Sequence, residues 1–179
     1  MATETRQIVL ESPTGAAPGV GLWIAALEDG RRRTLEMLER VTPELVDAEA
    51  PYHQHTIGTL LYHVALIEAD WLYVEIREES YPDDLGELLP FSSRDERGSL
   101  TSVTGVSLEV HLDRLAEIRK RLRSTLLGLS ESEFSEAREI PDAVVSTAWV
   151  IHHLIQHEAE HRGEIGQILD AHESGGESQ

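Results

Sequence analysis

The sequence predicts an all-α bundle of four helices. Apolar residues recur at helical spacing in four stretches of about twenty residues each, no stretch alternates convincingly at the two-residue period of a strand, and no internal repeat is present. At 179 residues the chain suits one domain with a core of its own, and no apolar run approaches the ~18 residues of a membrane span.

The elements follow in order. Residues 1–17 lack helical periodicity and end in a Ser, Pro, Gly and Ala cluster, so they are expected to be a flexible lead-in with a short extended piece at 7–10. Pro18 opens the first helix, where its fixed φ suits the first turn. Trp23, Ala26, Leu27, Thr34, Leu38 and Val41 mark its buried side. Glu28 with Arg32, Asp29 with Arg33 and Glu36 with Arg40 form i,i+4 pairs, so the triple arginine 31–33 reads as a solvated face.

Thr42 and Pro43 break that helix, and Thr56 starts the second, which runs from Ile57 to about Glu79 by its stripe of Leu60, Leu61, Val64, Ile67, Trp71 and Val74. His63 sits on the stripe's edge. Residues 80–106 carry breakers and no sustained period, and a connection of this length is expected to act as a lid over the site. The third helix begins near Ser107, with Leu108, Leu112, Leu115, Ile118, Leu122, Leu126 and Leu129 inward. Its basic run of Arg119, Lys120, Arg121 and Arg123 again reads as solvated, and His111, alone at the stripe's edge, stays outside the site. Residues 130–145 form a second connection, Ser146 caps the fourth helix, and the tail 172–179 is expected to be disordered, leaving 18–171 as the folded domain.

The chemistry concentrates in the fourth helix. Val150, Leu154, Ile165 and Ile168 form its apolar stripe, and His157 and His161 fall inside it. Two imidazoles four residues apart share one helix face, the spacing that puts both on one metal ion, and without a ligand their buried ring nitrogens would be costly. The letters HEAEH also fit the zinc-protease pattern, with Glu158 as general base. The longer form of that motif requires glycine and histidine where this chain has Glu164 and Gln167, and no sheet accompanies it, so the protease reading is set aside.

Charge excludes other classes. The formal net charge of -18, from 33 acidic against 15 basic residues, disfavours nucleic acid and anionic membrane surfaces as partners and favours cation loading. There is no cysteine, so thiol chemistry needs a thiol brought by a cosubstrate. Glu4 and Glu11 interrupt any secretory leader pattern, and the expected compartment is the cytoplasm.

Two stretches, TIGTLLYHVALIEADW at 56–71 and HLIQHEAEHRGEIGQIL at 153–169 with its H-x-x-x-H-R-G run, resemble the DinB superfamily. The resemblance spans about residues 18 to 170. It implies an antiparallel four-helix bundle with a long connection between helices two and three. It also implies a divalent metal held by His63, His157 and His161, and a homodimer. Characterised members look like transferases or isomerases that use bacillithiol, mycothiol or glutathione, which implies a small thiol and an electrophilic substrate as partners. Many members carry glutamine where this chain has Glu164, so Glu164 is a candidate fourth ligand, a partner of an imidazole, or a base. His153 is a spare ligand candidate, and His152 points away. Imidazole sets suit zinc, nickel, iron or copper, so ligand type alone does not name the metal, and zinc or nickel is favoured here. A hydrolase using metal-activated water, with Glu158, Glu160 or Glu164 as base, is the competing enzyme reading. The third reading is a non-catalytic stress protein stabilised by its ion.

Overall fold

The computed structural model describes residues 9–141 and 143–176, and the expected extended piece at 7–10 and the tail end at 177–179 lie wholly or partly outside them. Pro18 occupies the first turn of α1 (Pro18–Leu38), as its fixed φ requires. The buried stripe is Val20, Ile24, Leu27, Arg31, Thr34 and Leu38, at helical spacing but rotated from the expected one so that Trp23 and Ala26 lie at its border. Asp29 pairs with Arg33 as expected, whereas Arg32 takes Asp29 and Glu36, and Arg40 crosses to Asp170 and Glu173.

After a single 3₁₀ turn at Pro43–Leu45, Thr56 caps α2 (Ile57–Asp70), its hydroxyl accepting from the Thr59 N–H at 3.2 Å. This helix is buried on nearly every side from Ile57 to Leu66. It runs into a π-helical turn at Trp71–Ile76, and the wider turn shifts the helix face: Leu72 and Tyr73 go inside while Val74, expected inside, is 47% exposed.

The long connection holds more structure than its composition predicted. It contains the short α3 (Asp83–Leu88) and an isolated bridge between Arg94 and Leu100, and it is pinned to α2. The Tyr62 hydroxyl bonds both the N–H and the carbonyl of Phe91 at 2.7 Å, and Thr59 accepts from the Val103 N–H at 3.1 Å. α4 (Leu108–Leu127) follows, capped by Ser107.

The second connection corrects the expectation of an all-helical chain. α5 (Glu131–Ser135), with a capping box from Ser130 and Glu133, leads into a two-stranded antiparallel hairpin, β1 (Ala137–Ile140) and β2 (Ala143–Ser146). Pro141 at the reversal was the available turn signal. α6 (Thr147–Gly176) starts where Ser146 accepts from the Trp149 N–H, and it runs past the expected boundary at Ala171. There Arg40, just past the end of α1, pairs with Asp170 and Glu173 on the surface of a turn with no apolar anchor.

The four long helices α1, α2, α4 and α6 share one core. α6 packs on α1 and α2, and α4 packs on α2 and α1, so α2 and α6 lie against each other along the faces that carry the histidines. Among the described residues no helix is long and apolar enough to cross a membrane.

Candidate metal centre

His63 lies in the middle of α2 at 7% exposure, and His157 and His161 lie one turn apart on the facing side of α6. Packing of the two helices brings the three rings together. The Nε2 of His157 stands 3.1 Å from that of His63 and 3.1 Å from that of His161. The rings are set crosswise, His161 at 88° to His63 and 84° to His157, so their edges rather than faces meet.

Three nitrogens that converge in this way fit one divalent ion. With metal–nitrogen bonds of about 2.0–2.1 Å, donors 3.1 Å apart subtend an angle of about 100° at the ion, between octahedral and tetrahedral values. Among the described residues, this triad is the one group of three or more His, Cys, Asp or Glu side chains close enough together to hold an ion, and no fourth such side chain joins it.

The protonation state agrees. Burial, reinforced by His161, Arg94 and His55, pushes His63 down to about 4, and burial with the neighbouring histidines pushes His157 down to about 3. His161 is also lowered by burial, against the opposing pull of Glu164 and Glu160. All three rings are therefore neutral at pH 7, with lone pairs available to an ion.

Glu164 is 43% exposed, and its Oε1 lies 3.2 Å from His161 Nδ1, off the line of a good hydrogen bond. It thus stands behind His161, on the ring nitrogen that faces away from the convergence point, where it can orient the ring. Glu158, the other candidate base, is turned away altogether. It is buried, and its two oxygens are taken by Arg31 Nε at 2.8 Å and Arg119 Nη2 at 2.9 Å. Burial alone would raise its carboxyl, but the two guanidiniums outweigh that and hold it below the usual range. Both of its oxygens are engaged by guanidiniums, and it is not among the groups that converge with the histidines.

His153 does not join the triad. It stacks on Trp149 with the planes 2° apart, meets the edge of Trp71, and lies 5.9 Å from the His157 ring, extending the site as an aromatic wall. His152 is exposed and touches Trp23 edge-on.

The sequence reading missed one feature beside the site, and the miss corrects both solvated arginine faces. Arg31 and Arg119 are each 5% exposed. Arg31 bonds Glu68 at 3.0 Å as well as Glu158, while Arg119 bonds Glu68 through Nε at 2.7 Å and Nη2 at 2.8 Å as well as Glu158. Their remaining donors reach the Leu115 and Leu27 carbonyls. The result is a closed ring of two cations and two anions, one from each long helix. The signal was positional: Arg31 falls four after Leu27, and Arg119 four after Leu115, inside the apolar stripes.

His111 is fully buried outside the triad, with neither ring nitrogen partnered, and it lies beside Asp47 and Gly58. Burial, with Arg114 adding and Asp47 opposing, pushes it down to about 4. A histidine whose folded pKa lies below its unfolded value near 6.5 contributes stability that is complete above that value and is lost as pH falls towards 4. His111→Leu is therefore expected to flatten the acid limb of a stability–pH curve, by about 3 kcal/mol at most at pH 4. Urea unfolding at pH 8, 6 and 4.5 checks this, and parallel curves for the two proteins would refute it.

A model of the DinB superfamily matches residues 26–165, which include all three histidines and all four members of the charged ring. The chain belongs to the DinB superfamily. A crystal structure of a conserved protein from Enterococcus faecalis is similar to this DinB protein at 16% identity and a TM-score of 0.65, over 83% of this chain and 93% of that one. That likeness concerns the fold. No curated protein matches the chain.

Proposed function

We propose that this DinB protein is a metal-dependent enzyme, an S-transferase or isomerase, in which a four-helix bundle of α1, α2, α4 and α6 presents one divalent ion to a low-molecular-weight thiol. The observation that carries the reading is the convergence of three neutral imidazole Nε2 atoms from His63, His157 and His161, joined among the described residues by no fourth His, Cys, Asp or Glu donor. A closed structural site has four chain ligands, whereas three leave room for a reactant. Imidazole donors suit zinc, nickel, iron or copper, and zinc or nickel is the favoured ion.

When bound, the ion supplies Lewis acidity, which stabilises the thiolate form of a cosubstrate thiol at neutral pH. The chain's own residues do the rest. Burial keeps the three rings unprotonated, Glu164 stands 3.2 Å behind the outer nitrogen of His161, and the wall of Trp71, Trp149 and His153 offers apolar, stacking surface beside His157 for the body of an electrophile. With no cysteine in the chain, the reacting sulfur is the cosubstrate's. Engagement of Glu158 by two arginines argues against the hydrolase reading that would use it as base.

The test is metal analysis of tag-free protein, followed by cobalt substitution and addition of bacillithiol, mycothiol or glutathione. A bound ion that develops sulfur-to-metal charge transfer with one thiol is the expected result. An ion indifferent to every thiol would contradict the thiol chemistry and favour a hydrolase or a purely structural ion.

A further inference from the structure

We infer that the buried ring of Arg31, Glu68, Arg119 and Glu158 is a positioning device for the metal ligands, fixing α2 against α6 so that His63 stays in register with His157 and His161. The inference rests on the metal-binding reading above.

Glu158 directly follows His157, and Glu68 lies five residues past His63, about 7.5 Å along the axis of α2. The two helices that supply every metal ligand therefore also supply both anions of the ring. Each arginine reaches both glutamates, so α2 and α6 are joined twice, once through α1 and once through α4. Sliding or rotating one helix against the other breaks directional bonds at both arginines. Apolar side chains alone impose no such direction. Metal sites hold their donor distances to within about 0.2 Å, so a slip far smaller than the 1.5 Å rise of one residue removes His63 from the site.

Stability alone does not call for the ring. Well-packed Leu and Met of similar volume are generally as stabilising as buried ion pairs, or more so, and register is the best-attested use of such pairs. The ring has two cations and two anions and is closed by backbone carbonyls, so it directs the helices without adding net charge beside the ion.

The experiment measures Zn2+ affinity by competition with a chromophoric chelator, for proteins shown to be folded by circular dichroism. The variants are Glu68→Gln, Glu158→Gln and the fourfold change Arg31→Met, Glu68→Leu, Arg119→Met, Glu158→Leu. Leu122→Ala, which opens the fully buried core on α4, is the stability control. The ring variants are expected to lose about tenfold or more in affinity, the range seen when groups behind metal ligands are removed, while the control keeps wild-type affinity. Wild-type affinity in the folded ring variants, an equal loss in the control, or failure of every ring variant to fold would each overturn the positioning role. In the metal-free proteins, the ring-nitrogen NMR signals of His63 and His157 should be single in wild type and control, and split or broadened in the ring variants. A wild-type chain that binds no Zn2+ would remove the metal reading, and these spectra would still decide what the ring positions.

Discussion

His157→Ala and His161→Ala proteins are expected to bind neither zinc nor nickel, and His63→Ala to bind them only weakly. Each ring supplies one of three donors, and no other His, Cys, Asp or Glu among the described residues completes a group of three. Losing a residue behind a ligand typically costs 10–100-fold in affinity, so losing a ligand should exceed about a hundredfold. His63 differs because it comes from the other helix: without it, both remaining donors sit on α6 and still chelate at i,i+4 spacing. Chelator competition at pH 7.5 checks all three. Full occupancy in His63→Ala would remove that residue from the site and bring His153 or Glu164 into question.

Arg119→Ala is expected to lower folding stability by about 3–5 kcal/mol, the range for breaking a buried charge network from one side. The substitution removes three bonds to Glu68 and Glu158 and leaves two carboxylates sharing Arg31 in a site only 3% open to water. Arg33→Ala supplies the contrast. Its partner is Asp29 and its side chain is 51% exposed, so the loss should stay below about 1 kcal/mol. Urea unfolding of both proteins separates the cases, and equal losses would contradict the burial of Arg119 as the cause.

The two arginines also show where sequence reading worked and where it stopped. Periodicity placed the four long helices, and the apolar phase of Val150, Leu154, Ile165 and Ile168 turned His157 and His161 inward, because burial is what a helical stripe reports. Spacing along one helix cannot say which other helix faces it. His63 was therefore only an edge residue until family resemblance singled it out, and the packing of α2 on α6 then brought it to 3.1 Å from His157. Arg31 and Arg119 were misplaced because each stands in a run of basic residues whose neighbours are solvated. Charge runs describe a segment, whereas burial belongs to single positions. The β1–β2 hairpin escaped because four-residue strands are too short for alternation to register against irregular loop sequence. Residues 172–176 continue the helix beside the charge contacts of Arg40 with Asp170 and Glu173, which apolar pattern does not report.

X-ray absorption at the zinc edge of the zinc-loaded, tag-free protein tests the central claim most directly, since imidazole rings give a distinctive outer-shell scattering pattern. One ion per chain with three imidazoles and further light-atom ligands at bond lengths near 2.0–2.1 Å is the predicted result. A shell with one imidazole or none, or no retained zinc after add-back, would contradict the convergence of His63, His157 and His161 on a single metal ion.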